Sequence, residues 1–384
     1  MKKVAVACQG GGMHAAFEVG VLTEILKDVK AGKFELVGLS GTSAGALCAL
    51  MVWYGLAPKN GGGSAQQAID SLDDFWNGFV ASPGAETVLN FFTYRTFRAE
   101  EMEIPGLGIN APLFAGSLNP YGAIYKAVAD WLPNFGVRKQ YFDLNDALDE
   151  ACPEFNSIVW PSVKTRLLIG ASEVVKGFET VFDSGVHNGL PPANKGMNPG
   201  DKTTYWRQRL LLTLQGVVAS GTLPTFREAE HIVGDGHYWD GLYSQNPPVR
   251  EFFSKVPKAD RPDELWIVRI NPQERKGTPK LNASVLDREN ELMGNLSLNK
   301  ELDFIMTVNA WSKKYGGAFA SDHKDVIVRT IKMKRATADH LRYSSKFDRS
   351  ESFTDQLRQE GHQVARNWLD LWPGVDEYPQ DARR

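Results

Sequence analysis

Three short stretches of this 384-residue chain carry residue types that together could cleave an acyl bond. Gly41-Thr42-Ser43-Ala44-Gly45 reads G-x-S-x-G, a serine hydroxyl flanked two residues away by glycines. A serine attacks a carbonyl efficiently only when a base takes its proton and fixed dipoles receive the charge that develops on the oxygen. Gly10-Gly11-Gly12 offers such dipoles, because glycines let backbone amides approach a ligand closely. Asp240-Gly241 offers a carboxylate, although an Asp-Gly pair alone is ordinarily a turn.

These residues can act only if regular elements bring them together. Val4–Cys8 is a short apolar run and predicts a buried strand, which Gln9–Gly12 interrupts. From His14 to Lys30, Phe17, Val21, Leu22, Ile25, Leu26 and Val29 recur at helical spacing, and Gly32 stops the helix. Phe34–Ser40 predicts a second strand, and Ala44–Tyr54 a helix closed by Gly55 and Pro58. Strand, helix, strand, helix implies parallel strands with buried faces. Both loops then leave the sheet at the same carboxyl edge. A sharp strand-to-helix turn strains the backbone at Ser43 and demands tiny neighbours, which gives Gly41 and Gly45 a supporting role. The helix beginning at Ala44 aims its free amides and positive end at the same place.

The glycine loop has two competing readings. A dinucleotide fingerprint would need a glycine where Ala15 stands, and a Walker A loop would need Gly-Lys-Ser/Thr. The adjacent serine turn favours an oxyanion role.

Further along, Ala65–Val80 predicts a helix. Residues 81–140 read as an aromatic-rich, partly irregular insertion with Pro83, Pro105, Pro112 and Pro120, Phe91, Phe92, Tyr94 and Phe97, and a helix over Tyr121–Leu132. The four aromatics suit either core packing or an acyl-binding, membrane-facing lid. Arg166–Val175 and Glu179–Asp183 predict a hairpin, Thr203–Ser220 a helix, and Ile232–Val233 and His237–Trp239 short strand pieces. Leu265–Ile270 and Asp325–Met333 predict strands. Val285–Trp311 predicts a long helix with Leu292, Leu296, Ile305 and Val308 on one side, and Phe353–Leu371 a final helix.

The ordered set resembles the patatin-like phospholipase family. That family joins a glycine-rich oxyanion loop, a G-x-S-x-G elbow about thirty residues on and a D-G-G/A aspartate some two hundred residues later. Gly10–Gly12, Gly41–Gly45 and Asp240-Gly241 follow that order. Ala219-Ser220-Gly221-Thr222-Leu223-Pro224-Thr225-Phe226 is similar to the family's A-S-x-A-x-P-x-F segment, and Leu168–Val175 with Gly177 and Phe182 to the strand before it. The resemblance runs over residues 4–270. It departs at His14 and Ala15, where the family has Arg/Lys-Gly, at Leu242 for Gly or Ala, and at Gln9 for an acidic residue.

The resemblance implies an α/β fold, a three-layer sandwich around a mainly parallel sheet, with residues 1–275 catalytic and 276–384 a helical C-terminal extension packed on the core. It implies hydrolysis of fatty-acyl esters in phospholipids, lysophospholipids or related lipids through an acyl-enzyme. Ser43 is then nucleophile, Asp240 general base, and Gly10, Gly11 and Gly12 the oxyanion hole, with no metal or cofactor. Burial beside Tyr238 and Trp239 would raise the Asp240 pKa toward a useful range. Two alternatives stay open. One is an α/β-hydrolase triad with His323 or His340 as base; the other is a non-catalytic lipid-binding scaffold. His231 and His237 lie nearer Asp240 and read as strand-edge residues.

Composition narrows the class. A net charge of −3 with scattered basic residues argues against a nucleic-acid partner. Three cysteines without a CxxC pair argue against disulfides and a zinc site, and point to a reducing, cytoplasmic setting. The Val4–Ala7 run is too short for a secretory signal, and no stretch reaches membrane-span length. A lipid substrate and transient contact with a membrane surface are the expected partners.

Overall fold

A computed structural model describes residues 1–101, 136–190 and 207–374, apart from positions 60–61, 142, 225–226, 233, 235, 255, 276 and 280–281. Among the described residues its centre is a nine-stranded sheet of mixed but mainly parallel strands. β1 (Lys3–Cys8) lies between β2 (Glu35–Thr42) and β8 (Glu264–Arg269), parallel to both. β3 (Arg166–Glu173) continues the sheet beyond β2 in parallel, and β9 (Ile327–Lys332) continues it beyond β8. β4 (Glu179–Asp183) runs antiparallel to β3 and parallel to β5 (Arg207–Leu211). β6 (Glu230–Ile232) and β7 (Gly236–Asp240) form an antiparallel ribbon, and β7 pairs with the end of β3.

The alternation of side chains along β1 and β8 explains the layers. Val4, Val6 and Cys8 enter one apolar cluster, Ala5 and Ala7 the other; Trp266 and Val268 divide from Leu265 and Ile267 in the same way. One face is covered by α1 (Ala16–Lys30), α2 (Ala44–Leu56), α3 (Ala65–Phe79) and the final helix, α8 (Glu351–Leu371). The other is covered by Leu298, Leu302 and Ile305 of α7 (Asn282–Tyr315). Gly20 and Gly361 bring α1 and α8 into backbone contact: a Cβ on either would strike the carbonyl of Arg358 or Phe17.

The α/β class, the mainly parallel sheet and the C-terminal helices agree with the sequence reading. Three local expectations do not. Residues 85–101, within the insertion read as partly irregular and given no helix there, form α4 (Ala85–Glu101). Pro83 stands just ahead of that helix, where proline is harmless, and the Glu86 carboxylate accepts the Ser82 amide at 2.9 Å. The described part of the helix predicted over Thr203–Ser220, from residue 207 on, is β5 followed by α6 (Leu214–Ser220), after α5 (Leu144–Ala151). β5 is drawn into the sheet by β4, where Arg207 pairs with Glu179, Glu251 and Glu301. On α7 the buried line runs through Glu291, Asn295, Leu298, Leu302, Ile305 and Asn309, whereas Leu296 is half exposed. Apolar periodicity alone missed that stripe because half of it is polar. Tyr121–Leu132 lies outside the described residues.

Candidate active site

β2 runs into α2 with no intervening loop, and Ser43 occupies the corner. Its φ of +55° makes it the one non-glycine in the left-handed region among the described residues. Such a conformation costs on the order of 1–3 kcal/mol and persists only where surroundings impose it. Here Gly41 and Gly45 impose it. A Cβ on Gly41 would collide with the Gly45 carbonyl, and one on Gly45 would sit 2.5 Å from the Cys8 carbonyl oxygen. The Ser43 amide donates to Ser220 Oγ at 3.0 Å, and Ser220 Oγ donates to the Gly170 carbonyl at 2.6 Å. Thr42 Oγ1 donates to the Gln245 carbonyl at 2.7 Å. The elbow is thus pinned to β3 and to the turn after β7. Ser43 itself is only half-buried and can be reached.

β7 ends on Asp240, paired with Ala171 of β3, so the carboxylate arrives at the sheet edge from which the elbow departs. Asp240 is 1% exposed. Its Oδ1 accepts the Leu242 amide at 2.8 Å, and its own amide donates to the Thr222 carbonyl at 2.8 Å. Oδ2 has no hydrogen bond of normal geometry. Burial raises the Asp240 pKa to about 6, against the opposing pull of the nearby Ser43 hydroxyl, the Leu242 amide and the Lys346 ammonium. The unsatisfied oxygen leaves the carboxylate able to accept one further hydrogen bond. Such contacts are often loose until substrate binds.

The glycine loop passes beside the elbow, and a Cβ on Gly10 would lie 2.7 Å from Ser43 Cβ. Its three amides are not equivalent. The Gly10 amide donates to Asn246 Oδ1 at 2.6 Å. Among the described residues no hydrogen bond is donated by the amides of Gly11 and Gly12. Gly12 has φ +57° and packs on the backbone of Lys346.

His14, one of the positions where the resemblance breaks down, is buried with Nε2 2.7 Å from Ser345 Oγ. Burial, with Lys346 and Arg275 nearby, holds its pKa well below the usual value, so it is neutral. The other histidines are placed elsewhere. His323 Nε2 meets Asn309 Oδ1 at 3.1 Å, His340 Nδ1 meets the Ala336 carbonyl at 2.6 Å, and His231 stacks on His237. Among the described residues no histidine hydrogen bond runs to Ser43 or Asp240. Among the described residues no group of three His, Cys, Asp or Glu is arranged to hold a metal. No described helix is long and apolar enough to cross a membrane. Cys8, Cys48 and Cys152 are buried and unpaired.

Several contributors escaped the sequence reading. Asn246 was not singled out, and Ser220 appeared only within the Ala219–Phe226 segment, with no stated role. Asn271 and Lys346 had no local signal at all, because each reaches the site through the tertiary fold.

Among solved structures the chain is similar to VipD from Legionella pneumophila at 14% identity, with 96% of this chain and 67% of that one covered and a TM-score of 0.38. It is also similar to the type III effector protein ExoU at 12% identity, with 96% and 53% covered and a TM-score of 0.30. The chain therefore spans about two thirds of the first and about half of the second. No curated protein matches it. The family model for patatin-like phospholipases matches residues 6–253, which takes in the glycine loop, the elbow and Asp240. With well over half of its length matched by that model, the chain belongs to the patatin-like phospholipase family.

Proposed function

We propose that this protein hydrolyses fatty-acyl esters of phospholipids, lysophospholipids or related lipids with a Ser43–Asp240 dyad. Ser43 Oγ bonds to the acyl carbon while Asp240 takes its proton. The oxyanion rests on the amides of Gly11 and Gly12, with the α2 N-terminus adding a favourable dipole. As the C–O bond to the alcohol breaks, protonated Asp240 returns the proton to the leaving oxygen. A water then loses a proton to Asp240 and attacks the acyl-enzyme, and Ser43 departs with that proton. The observation carrying this reading is the buried Asp240 carboxylate, its pKa raised to about 6, beside a serine hydroxyl held at φ +55°. A carboxylate of ordinary pKa near 3.9 would be a far weaker base at neutral pH.

Val88, Phe91 and Phe92 of α4 are more than half exposed, which supports contact with a lipid surface.

A fluorophosphonate probe tests the nucleophile. Wild type should label at Ser43 and hydrolyse lysophospholipid and short acyl esters. Ser43→Ala should abolish both, and Asp240→Asn should lower the turnover by about 10²–10⁴-fold. Labelling that persists in Ser43→Ala, or full activity in Asp240→Asn, would exclude the dyad.

A further inference from the structure

The loop that carries the oxyanion donors is held by a patch of buried amides, two of which come from beyond the residues matched by the family model. Gly10 is grasped at both ends of its peptide groups. Its amide donates to Asn246 Oδ1 at 2.6 Å, and its carbonyl accepts Asn271 Nδ2 at 2.8 Å and Asn246 Nδ2 at 3.4 Å. The neighbouring Gln9 side chain reaches the other way. Its Oε1 accepts the amides of Ile270 and Asn271, each at 3.2 Å, and its Nε2 donates to Asn295 Oδ1 at 3.0 Å. Asn295 Nδ2 completes the chain on the Pro272 carbonyl at 3.0 Å. Gln9, Asn246 and Asn295 are fully buried and Asn271 nearly so. Gly294 lets α7 come this close, since a Cβ there would lie 2.6 Å from Asn246 Nδ2.

Both polar side-chain atoms of Gln9, Asn246 and Asn295 have partners, Asn271 donates through Nδ2, and all four side chains are neutral. That combination fixes a backbone segment without placing a charge beside a developing oxyanion. A loop with three consecutive glycines has no side chains to restrain it and the largest backbone freedom to lose. Preorganised donors help only if they already stand where the oxyanion will form.

We propose that Asn271 and Asn295 are positioning residues of the active site: through Gly10 and Gln9 they hold the glycine loop so that the Gly11 and Gly12 amides face the acyl oxygen. The segment after β8 and the long helix α7 are thereby part of the catalytic apparatus. This rests on the Ser43–Asp240 reading for its kinetic consequence, but not for its structural one.

The test compares wild type with Asn271→Leu and Asn295→Ala in the full chain. The control is Asn299→Ala, one turn further along α7, where the side chain bonds Arg269 and Gln273. Ester hydrolysis, fluorophosphonate labelling of Ser43 and hydrogen exchange of the peptide spanning Gln9–Met13 are measured together. Both clamp variants should lose about ten- to a hundredfold in kcat with KM unchanged, as small misplacements of catalytic groups do. Both should exchange the loop amides faster than wild type, and Asn299→Ala should do neither. The proposal is overturned by clamp variants whose loop exchange matches wild type, or by Asn299→Ala losing as much kcat as Asn295→Ala. Absence of labelling in wild type would instead sink the Ser43–Asp240 reading, and loop exchange would then decide the clamp by itself.

Discussion

Asp240 is the residue whose chemistry and stability pull in opposite directions. A carboxyl group with a pKa near 3.8 in the unfolded chain and about 6 in the fold binds its proton more tightly when folded. The folded state then gains on acidification between about pH 6 and pH 4, and above pH 6 the full penalty remains, about 3 kcal/mol at 1.36 kcal/mol per unit. Asp240→Asn should therefore unfold at higher urea than wild type at pH 7.5, and the difference should vanish near pH 4. Equal stability at both pH values would contradict a buried, ionised carboxylate. Activity runs the other way: kcat/KM should rise with pH through about 6 as the base ionises. Lys346 is the cation that favours ionised Asp240, and Asp287, Glu291 and Arg275 face Lys346 in turn. Replacing it in Lys346→Met should move the acid limb of the pH profile to higher pH. A limb that stays in place would show that this ammonium does not reach Asp240.

At the scale of elements, glycines decide how closely backbones meet. Gly45→Ala would push a methyl into the Cys8 carbonyl, separating α2 from β1 at the elbow. Overpacking of this kind costs about 1–3 kcal/mol, and here it should also remove Ser43 labelling because the strained corner cannot close. Gly20→Ala offends a different contact, the crossing of α1 and α8. It should lower the melting temperature comparably while leaving labelling intact in the molecules that remain folded. Labelling rates that fall equally in the two variants would refute the distinction. α4 presents Phe91 and Phe92 outward, so Phe91→Ser with Phe92→Ser should weaken liposome binding without changing hydrolysis of a soluble ester. Unchanged liposome binding would assign those aromatics no role at the lipid surface.

For the molecule as a whole, the C-terminal extension closes the sheet. β9 pairs with β8, α8 packs along α1, and Trp368 and Trp372 of the C-terminal region meet Trp266 edge-on at 4.8 and 5.6 Å. Glu264 ties these parts together. It is buried on β8 and bonded to Lys2, Arg329, Trp266 and Trp372. Although burial alone would raise its pKa, those partners hold it down at about 2. Its contribution is complete above its ordinary value of 4.5 and disappears as the pH falls through about 2. A chain truncated at residue 275 should accordingly fail to fold as a compact unit, as judged by near-ultraviolet circular dichroism. A cooperative melt of that fragment would establish residues 1–275 as a self-sufficient domain.

The amino-acid order alone determined what depends on neighbours in the chain. The βαβα opening, the glycine-flanked serine between an apolar strand and an apolar helix, and the Asp-Gly turn at the end of a short strand are all local patterns. Their ordered spacing was enough to indicate the family. Long-range pairing decided the rest. Arg207–Leu211 became a strand because β4 offered an open edge and the carboxylates of Glu179 and Asp183 for Arg207 and Arg209, which no local propensity encodes. The three glycine amides are identical in sequence, and only the fold spends the first of them on Asn246, 236 residues away. Lys346, Asn271 and Asn295 come from parts of the chain with no motif, since their relation to Ser43 and Asp240 exists only where β8, α7 and the segment before α8 fold back onto the carboxyl edge of the sheet.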